Sequence, residues 1–428
     1  MTANVFVVGL DDVNRAKLES IRDAAHYRFH ELLSLYDVQG ADRYPVAAWI
    51  ADMEAELEAF DGSIDGIIGF WDFPVSLIVP VLRSRFGTHG PTLESVVRCE
   101  HKYWSRRLQH EVIPDAVPRF EAVDPFAEDA AERLEIEPPF WLKPVKAFAS
   151  QLGFRIDDRA DLDRALEKIR EGIPRFAEPF DHMLERVDRP PEIAPVTGSW
   201  CLAEEILERT QHTVAGFARD GHVEIYGVID SINYPDSPSF FRYHYPSRLP
   251  EDVQRRAGDL ARAVAEHVGF RDWPFNVEFF YDESEDRLAL LEFNTRISQS
   301  HSDLFRKVDG VSNHEVLVRL ATGGDPEPPD GDGPAACAGK FHLRHFEDGK
   351  VTRIPDGDDI ARLKDEIPDA IVLVQVDEGD RLAELPDQDA YSYRLGVVYL
   401  GGEDEERMLR KWERARELLP FEIDGERI

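Results

Sequence analysis

Apolar positions along the chain fall into short blocks whose spacing switches between a period of two and one near 3.6, the mark of strands interleaved with helices. NVFVVGLDD (4–12) is an apolar run that ends in Gly and Asp before a helical stretch, and DGIIGFWDFPVSLIVPVL (65–82) repeats the strand, turn and helix. Together they predict a small α/β unit over 1–98. The turn after VVG has no G-x-G-x-x-G, so no dinucleotide site is expected there. A helical segment at 101–113, then the Pro-punctuated VIPDAVPRF and EPPF, form a connector over 99–139. FWLKPVKAFASQLGFRI (140–156) reads as strand, loop, strand and DLDRALEKIREGI (161–173) as an amphipathic helix, within a second small unit at 140–210.

WCLAEEIL (200–207) and HTVAGFARDGHVEIYGVIDSI (212–232) alternate as strands, the latter around a D-G turn at 220–221. A helix near 251–268, a hairpin at 275–293 and a helix at 313–321 complete a third unit, 211–325. The Pro-, Gly- and Asp-rich GGDPEPPDGDGP (323–334) predicts a linker. After it, KFHLRHFEDGKVTRI, AIVLVQV and YSYRLGVVYLGG are strand-like and DEERMLRKWERARELL (404–419) is a charged amphipathic helix, giving a C-terminal α+β module at 335–428. There is no internal repeat.

Composition narrows the class. The 428 residues suggest two to four folding units, and 43% apolar with 31% charged residues describes a globular chain rather than a disordered one. The longest apolar runs fall far short of the ~20 residues that span a bilayer, and the N-terminus lacks a basic-then-apolar signal, so a cytoplasmic protein with no membrane partner is expected. Fifty basic residues, ten of them Lys, against 84 acidic ones leave a net charge of -34. Such a surface repels nucleic acid, and adaptation to high salt would explain it. Cys99, Cys201 and Cys337 are too widely spaced for a zinc site or a disulfide framework.

The richest stretch is NVEFFYDESEDRLALLEFNTR (276–296). With a turn near residue 285, antiparallel pairing sets Glu278 opposite Glu292, and alternation puts Asn294 on the same face as Glu292. Two carboxylates so placed repel unless a cation sits between them, and hard oxygen donors suit Mg²⁺ or Mn²⁺ holding phosphates. Arg296 follows at the same pocket, either to neutralise a phosphoryl or acyl-phosphate group or to pair with one of the glutamates. Lys143, leaving a strand before a Pro, and Lys102, at a helix start, are candidate phosphate contacts in a chain poor in Lys. Glu204 and Glu205 lie in a strand-like hinge whose backbone could pair with an adenine edge. Arg242, His244 and Arg248 in FFRYHYPSRL are candidates for carboxylate recognition, with ordinary Arg–Glu pairing as the alternative. Asp72, in the loop after a strand, is a candidate seat for an amine.

In that order, Lys102, Lys143, the Glu204–Glu205 hinge, Glu278 and Glu292-x-Asn294-x-Arg296 resemble the ATP-grasp superfamily over roughly residues 1–330. The resemblance implies a multidomain α/β and α+β protein: a Rossmann-like pre-ATP domain, a small lid and a larger α+β unit, with ATP clamped between the last two. It implies Lys102 and Lys143 on the ATP phosphates, Glu204, Glu205 and Leu207 at adenine and ribose, Glu278, Glu292 and Asn294 on two Mg²⁺ or Mn²⁺ ions, and Arg296 on the acyl phosphate. It also points to Arg344 in KFHLRHF as an acceptor-site residue, sharing its strand with Lys340 and His342.

Three stretches depart from the family pattern. The lid loop KPVKAFASQLG (143–153) keeps Ser150 and Gly153, with Lys146 and Phe148 where small residues are common. Ala215 stands near a usual acidic position, with His212 as its polar substitute. EFNTRISQSH (292–301) is similar to biotin carboxylases, but Ser300 replaces their bicarbonate-activating glutamate. The expected activity is therefore a carboxylate-amine ligase releasing ADP and phosphate from small-molecule substrates, ahead of a carboxylating enzyme or an ATP-binding sensor or scaffold. Oligomeric state stays open, a homodimer being common among such ligases.

Overall fold

The computed structural model describes residues 2–148, 151–207, 209–327, 331–385, 388 and 391–428. The first apolar block is the strand Ala3–Leu10, flanked in parallel by Tyr27–Ser34 and Gly66–Ile68. Val5 to Val8 are fully buried, as an apolar run covered on both faces requires. The loop after Gly66–Ile68 carries Asp72 beyond the carboxyl ends of these parallel strands. Helices Leu93–Glu100 and Lys102–Val112 follow, with His101 between them as a cap. His101 Nδ1 accepts from the Trp104 amide at 3.2 Å, so its proton sits on Nε2 and is donated to the Val196 carbonyl at 2.9 Å. Burial holds this imidazole neutral, at a pKa of about 4.

A four-stranded antiparallel sheet follows, ordered Phe120–Val123, Cys201–Glu205, Phe140–Pro144, Phe154–Ile156. The helix Arg159–Gly172 covers it with Leu162, Ala165, Leu166 and Ile169, the apolar stripe of its 3.6 period.

The largest sheet has eight strands in the order Arg287–Asn294, Trp273–Asp282, Thr210–Arg219, His222–Asn233, Phe240–Tyr245, Cys337–His345, Tyr393–Gly402, Ile371–Val374, all neighbours antiparallel. Asp220 and Gly221 both take positive φ, which makes the two-residue connection that the D-G pair encodes. On one face the helix Glu251–His267 packs Val253, Ala257 and Ala261 into the same core as Val214, Val228 and Val277. The other face takes Leu304 and Phe305 of the helix Ser302–Asp309 beside Ala215, Ile229 and Tyr245. The sheet continues across the Pro/Gly/Asp stretch because Cys337–His345 pairs with Phe240–Tyr245. The helix Glu405–Leu418 closes the C-terminal end by stacking Trp412 on Phe341, ring centroids 4.6 Å apart. The three cysteines are buried and free, and no helix among the described residues is long and apolar enough to cross a membrane.

Candidate active site

The hairpin Trp273–Asp282 and Arg287–Asn294 sets Glu278 directly opposite Glu292 and Asn276 opposite Asn294. A register shift follows Glu278, and the neighbouring strand brings Thr213 beside it on the inner side. Asn294 Nδ2 donates to Glu278 Oε1 at 3.1 Å, and Gln211 Nε2 donates to Glu278 Oε2 at 2.7 Å. Burial first, then the charge of Glu292, pushes the Glu278 carboxyl up to about 7. Glu292 goes the other way: burial would raise it, but Lys102, with Nζ 3.0 Å from Oε1, holds it below the ordinary carboxylate range.

Lys102 Nζ also donates to the Ala147 carbonyl at 3.1 Å, which ties the helix start to the lid loop. Lys143, leaving the strand Phe140–Pro144, places Nζ 2.5 Å from Glu204 Oε2. Glu204 Oε1 takes Arg106 Nε at 2.5 Å. Burial works against this carboxylate, but Arg106 and Lys143 outweigh it and hold it at about 2. Arg106 further donates to Gln109 Oε1 at 2.6 Å and to the Leu290 and Leu291 carbonyls at 2.9 and 2.7 Å, so one guanidinium joins the lid, the helix and the metal-type hairpin.

Arg296 reaches Asp72 Oδ2 at 2.7 Å rather than either glutamate. The other Asp72 oxygen takes Lys146 Nζ at 3.2 Å, and the same ammonium is 2.8 Å from Glu100 Oε2. Glu100 also accepts from Ser76 and Thr295 hydroxyls at 2.9 and 2.7 Å. Against the pull of burial, Lys146 and Arg296 keep Asp72 far below its ordinary pKa. Lys146 is thus a buried tie from the lid loop to the N-terminal unit. Asp72, expected as an amine seat, has both oxygens committed and acts on Arg296 instead.

Three expected site residues lie on the wrong side of the sheet. Because Thr213 is the cross-strand neighbour of Glu278, the adjacent His212 faces away, where its Nδ1 is 2.9 Å from Asp230 Oδ1. Tyr243 pairs with Lys340 and Ser231 on the inner face, so Arg242 points outward to an ion pair with Glu405. Arg248, past that strand, reaches Asp230 and Glu405 in place of a substrate. Arg242 and Arg248 thus make the ordinary ion pairs of the alternative reading, and His212 is hydrogen-bonded to Asp230 and the Thr210 hydroxyl.

Glu205 is half-buried and accepts from the Arg119 amide at 3.2 Å, while Leu207 is half-buried beyond the strand end. Arg344 donates to the Phe240 carbonyl at 3.1 Å and to Ser392 Oγ at 2.8 Å. Ser150 lies outside the described residues. Gln211, Arg106, Glu100 and Thr295 were not anticipated. Gln211 is legible only once the register with Trp273–Asp282 is known, and the other three carry no local motif.

Among the described residues no three His, Cys, Asp or Glu side chains gather as a metal cluster, so the donor set here is two carboxylates and an amide. Around it stand Lys102, Lys143 and Arg296, a constellation suited to a polyphosphate. Residues 136–302 match the family model described as ATP-grasp domain. The chain carries an ATP-grasp domain. Lys143, Glu204, Glu278, Glu292, Asn294 and Arg296 fall inside this ATP-grasp stretch, whereas Asp72, Lys102 and Arg344 come from either side of it.

The likeness in fold to solved structures extends over the whole chain. It superposes on an L-amino acid ligase from Bacillus licheniformis with a TM-score of 0.74 at 14% identity, covering 99% of both chains. A biotin carboxylase from Campylobacter jejuni gives 0.64 at 15% identity, over 99% of this chain and 92% of that one. An N5-carboxyaminoimidazole ribonucleotide synthetase from Thermotoga maritima gives 0.63 at 14% identity, over 98% and 99%. Comparison with curated protein sequences finds no match.

Proposed function

We propose that the chain is an ATP-dependent, ADP-forming ligase of the cytoplasm that converts a small-molecule carboxylate into an acyl phosphate and passes the acyl group to an amine. The observation that carries this reading is the Glu278–Glu292 pair with Asn294, bordered by Lys102, Lys143 and Arg296. These three side chains offer oxygen donors that would hold Mg²⁺ or Mn²⁺, and a bound cation would offset the facing carboxylates, of which Glu278 stays protonated up to about pH 7 through burial first and the charge of Glu292 second. Such an ion, when bound, would supply charge neutralisation on the phosphates.

The chain's own groups do the rest. Lys102 and Lys143 trade their carboxylate partners for phosphate oxygens as ATP enters between lid and sheet. A substrate carboxylate oxygen attacks the γ-phosphorus and ADP leaves; the amine nitrogen then attacks the acyl carbon, phosphate leaves, and the amine gives up a proton. Arg296, aimed by Asp72, and Arg344 stabilise the oxyanion formed in that attack. Glu204, Glu205 and Leu207 form the adenine end. The likeness to an L-amino acid ligase over nearly the full length supports an amine acceptor. Ser300 accepts from Lys340 Nζ at 2.7 Å and offers no carboxylate base, which argues against bicarbonate as substrate.

The test is to incubate the protein with ATP, Mg²⁺ and pooled carboxylic and amino acids, in low and in molar KCl because a chain of net charge -34 suits a salt-adapted surface, and to follow ADP and phosphate. Release that requires both a carboxylate and an amine supports the ligase; ATP binding without release from any pool favours a sensor or scaffold.

A pH dependence accompanies this reading. The Glu278 carboxyl is raised above its ordinary 4.5 to about 7, so the folded, ion-free protein keeps a proton that the unfolded chain loses. That contribution to stability is complete below pH 4.5 and is lost as the pH rises through about 7. Since a divalent ion must displace this proton, Mg²⁺ affinity measured by calorimetry should rise from pH 5 and level off above about 7. A flat profile would contradict the role of Glu278.

A further inference from the structure

The inner face of the large sheet carries a second cluster beyond Arg296. Lys340, on Cys337–His345, is buried and lies across from Tyr243. Among the described residues its Nζ makes one hydrogen bond, 2.7 Å to Ser300 Oγ, and lies 5.6 and 5.7 Å from the Tyr243 and Tyr399 ring centroids. Burial first, then Arg394, pushes its pKa well below the ordinary lysine value, a cost that a bound anion would relieve. The carboxylate whose charge reaches it, Asp303, is already paired with Lys17 at 3.1 Å, and no carboxylate among the described residues forms an ion pair with Lys340. In a chain with 84 acidic residues, a buried lysine without a carboxylate partner is an exception.

The neighbouring side chains share this lack of partners. His342 is 2% exposed, and both of its ring nitrogens are without a hydrogen bond among the described residues. His301 is 4% exposed with Nδ1 likewise unpartnered. Both imidazoles flank the Tyr243 ring, with centroids at 5.3 and 5.1 Å. Buried polar groups left without partners are costly, so such a set persists where something else completes it. The cluster borders the reaction centre: the charges of Glu278 and Arg296 both act on Tyr243, and those of Lys340 and Arg296 both act on His301.

We infer that Lys340, Ser300, His342 and His301 seat a second anionic group of the substrate, so that the acid activated here carries a carboxylate or phosphate besides the carboxylate that reacts. This rests on the ligase reading and narrows its substrate class. Lys340, protonated as the anion binds, supplies the charge, and the unpartnered imidazole nitrogens of His342 and His301, which flank Tyr243, supply hydrogen bonds. Lys340 is then a specificity-determining residue, not one that touches the reacting atoms.

The test compares the wild-type protein with Lys340→Met and Lys340→Gln, using ATP, Mg²⁺ and an amine pool. Monocarboxylates (butyrate, 2-aminobutyrate) are set against dicarboxylates (glutarate, glutamate) and a phosphate-bearing acid (3-phosphoglycerate), with phosphate release as readout. Wild type should prefer one of the two dianionic arms, and that arm identifies the second group. Both variants should lose roughly 10- to 100-fold in kcat/KM for it, while turnover of monocarboxylates changes less than about threefold. Equal losses for mono- and dianionic acids would place the reacting carboxylate on Lys340 and overturn the proposal, as would a wild type that prefers monocarboxylates. If no acid elicits ADP release, the ligase reading fails separately. Calorimetric binding of glutarate and 3-phosphoglycerate without ATP then decides the seat: binding lost in both variants supports it, and binding unchanged or absent in wild type refutes it. Met and Gln relieve the burial of a charge, and unchanged thermal midpoints verify that the fold is intact.

Discussion

Replacing Arg106 by Met should lower the stability of the protein by about 3–5 kcal/mol, the usual cost of removing one partner from a buried ion pair. The Arg106 side chain is 3% exposed and donates to Glu204, Gln109 and the carbonyls of Leu290 and Leu291. Those carbonyls belong to Arg287–Asn294, the edge strand of the eight-stranded sheet, so the guanidinium occupies part of the place a ninth strand would take. Met fills similar volume but leaves Glu204 with Lys143 alone and two carbonyls without donors. Lys at this position keeps the charge but loses the planar fork, so it should recover only part of the loss. Urea unfolding measures both variants, and a change below about 1 kcal/mol for Met would show that the network carries little stability.

Glu292→Gln should abolish most turnover, by at least about 100-fold in phosphate release, with little effect on folding. The amide is nearly isosteric, so packing within Arg287–Asn294 is kept. The change removes one of the two facing carboxylates, and with it the charge that helps hold Glu278 at about 7. Glu278 should therefore titrate closer to its ordinary range, which the pH profile of Mg²⁺ binding would report. Lys102 keeps its bond to the Ala147 carbonyl but loses its counterion. An enzyme loses its rate through these changes, whereas a protein that only binds ATP loses affinity. Turnover retained within tenfold, with carboxylate-dependent release intact, would remove Glu292 from the proposed chemistry.

How much of this was legible depends on the distance over which each contact is specified. The Glu278–Glu292 pairing is local: a four-residue turn joins two alternating strands, and pattern alone fixes which residues face each other. The D-G turn, the helix starting at Lys102 and the strands at either end of the first unit, Ala3–Leu10 and Gly66–Ile68, were legible for the same reason, whereas Tyr27–Ser34, which pairs beside Ala3–Leu10, was not. His212, Arg242 and Arg248 were misplaced because alternation says which residues share a face, not which face looks at the site. That choice is made by pairing with the metal-type hairpin, where Thr213 meets Glu278, and by Tyr243 pairing with Lys340. Chemically prominent side chains drew the expectation toward Arg242, while the inner position belongs to its aromatic neighbour. The ties through Arg106 and Lys146 join residues 46 to 185 positions apart, and no spacing rule reaches that far.

The distribution of lysine has a practical side. Of ten lysines, only Lys168, Lys350 and Lys364 are exposed, whereas Lys102, Lys143, Lys146 and Lys340 are held within the candidate site. Amine-directed coupling to a surface or a dye should therefore attach at a few outer positions and spare the site. Conditions that loosen the fold would open the inner amines to the same reagent, so the number of adducts per chain, read by mass spectrometry, becomes a direct gauge of whether the site is assembled.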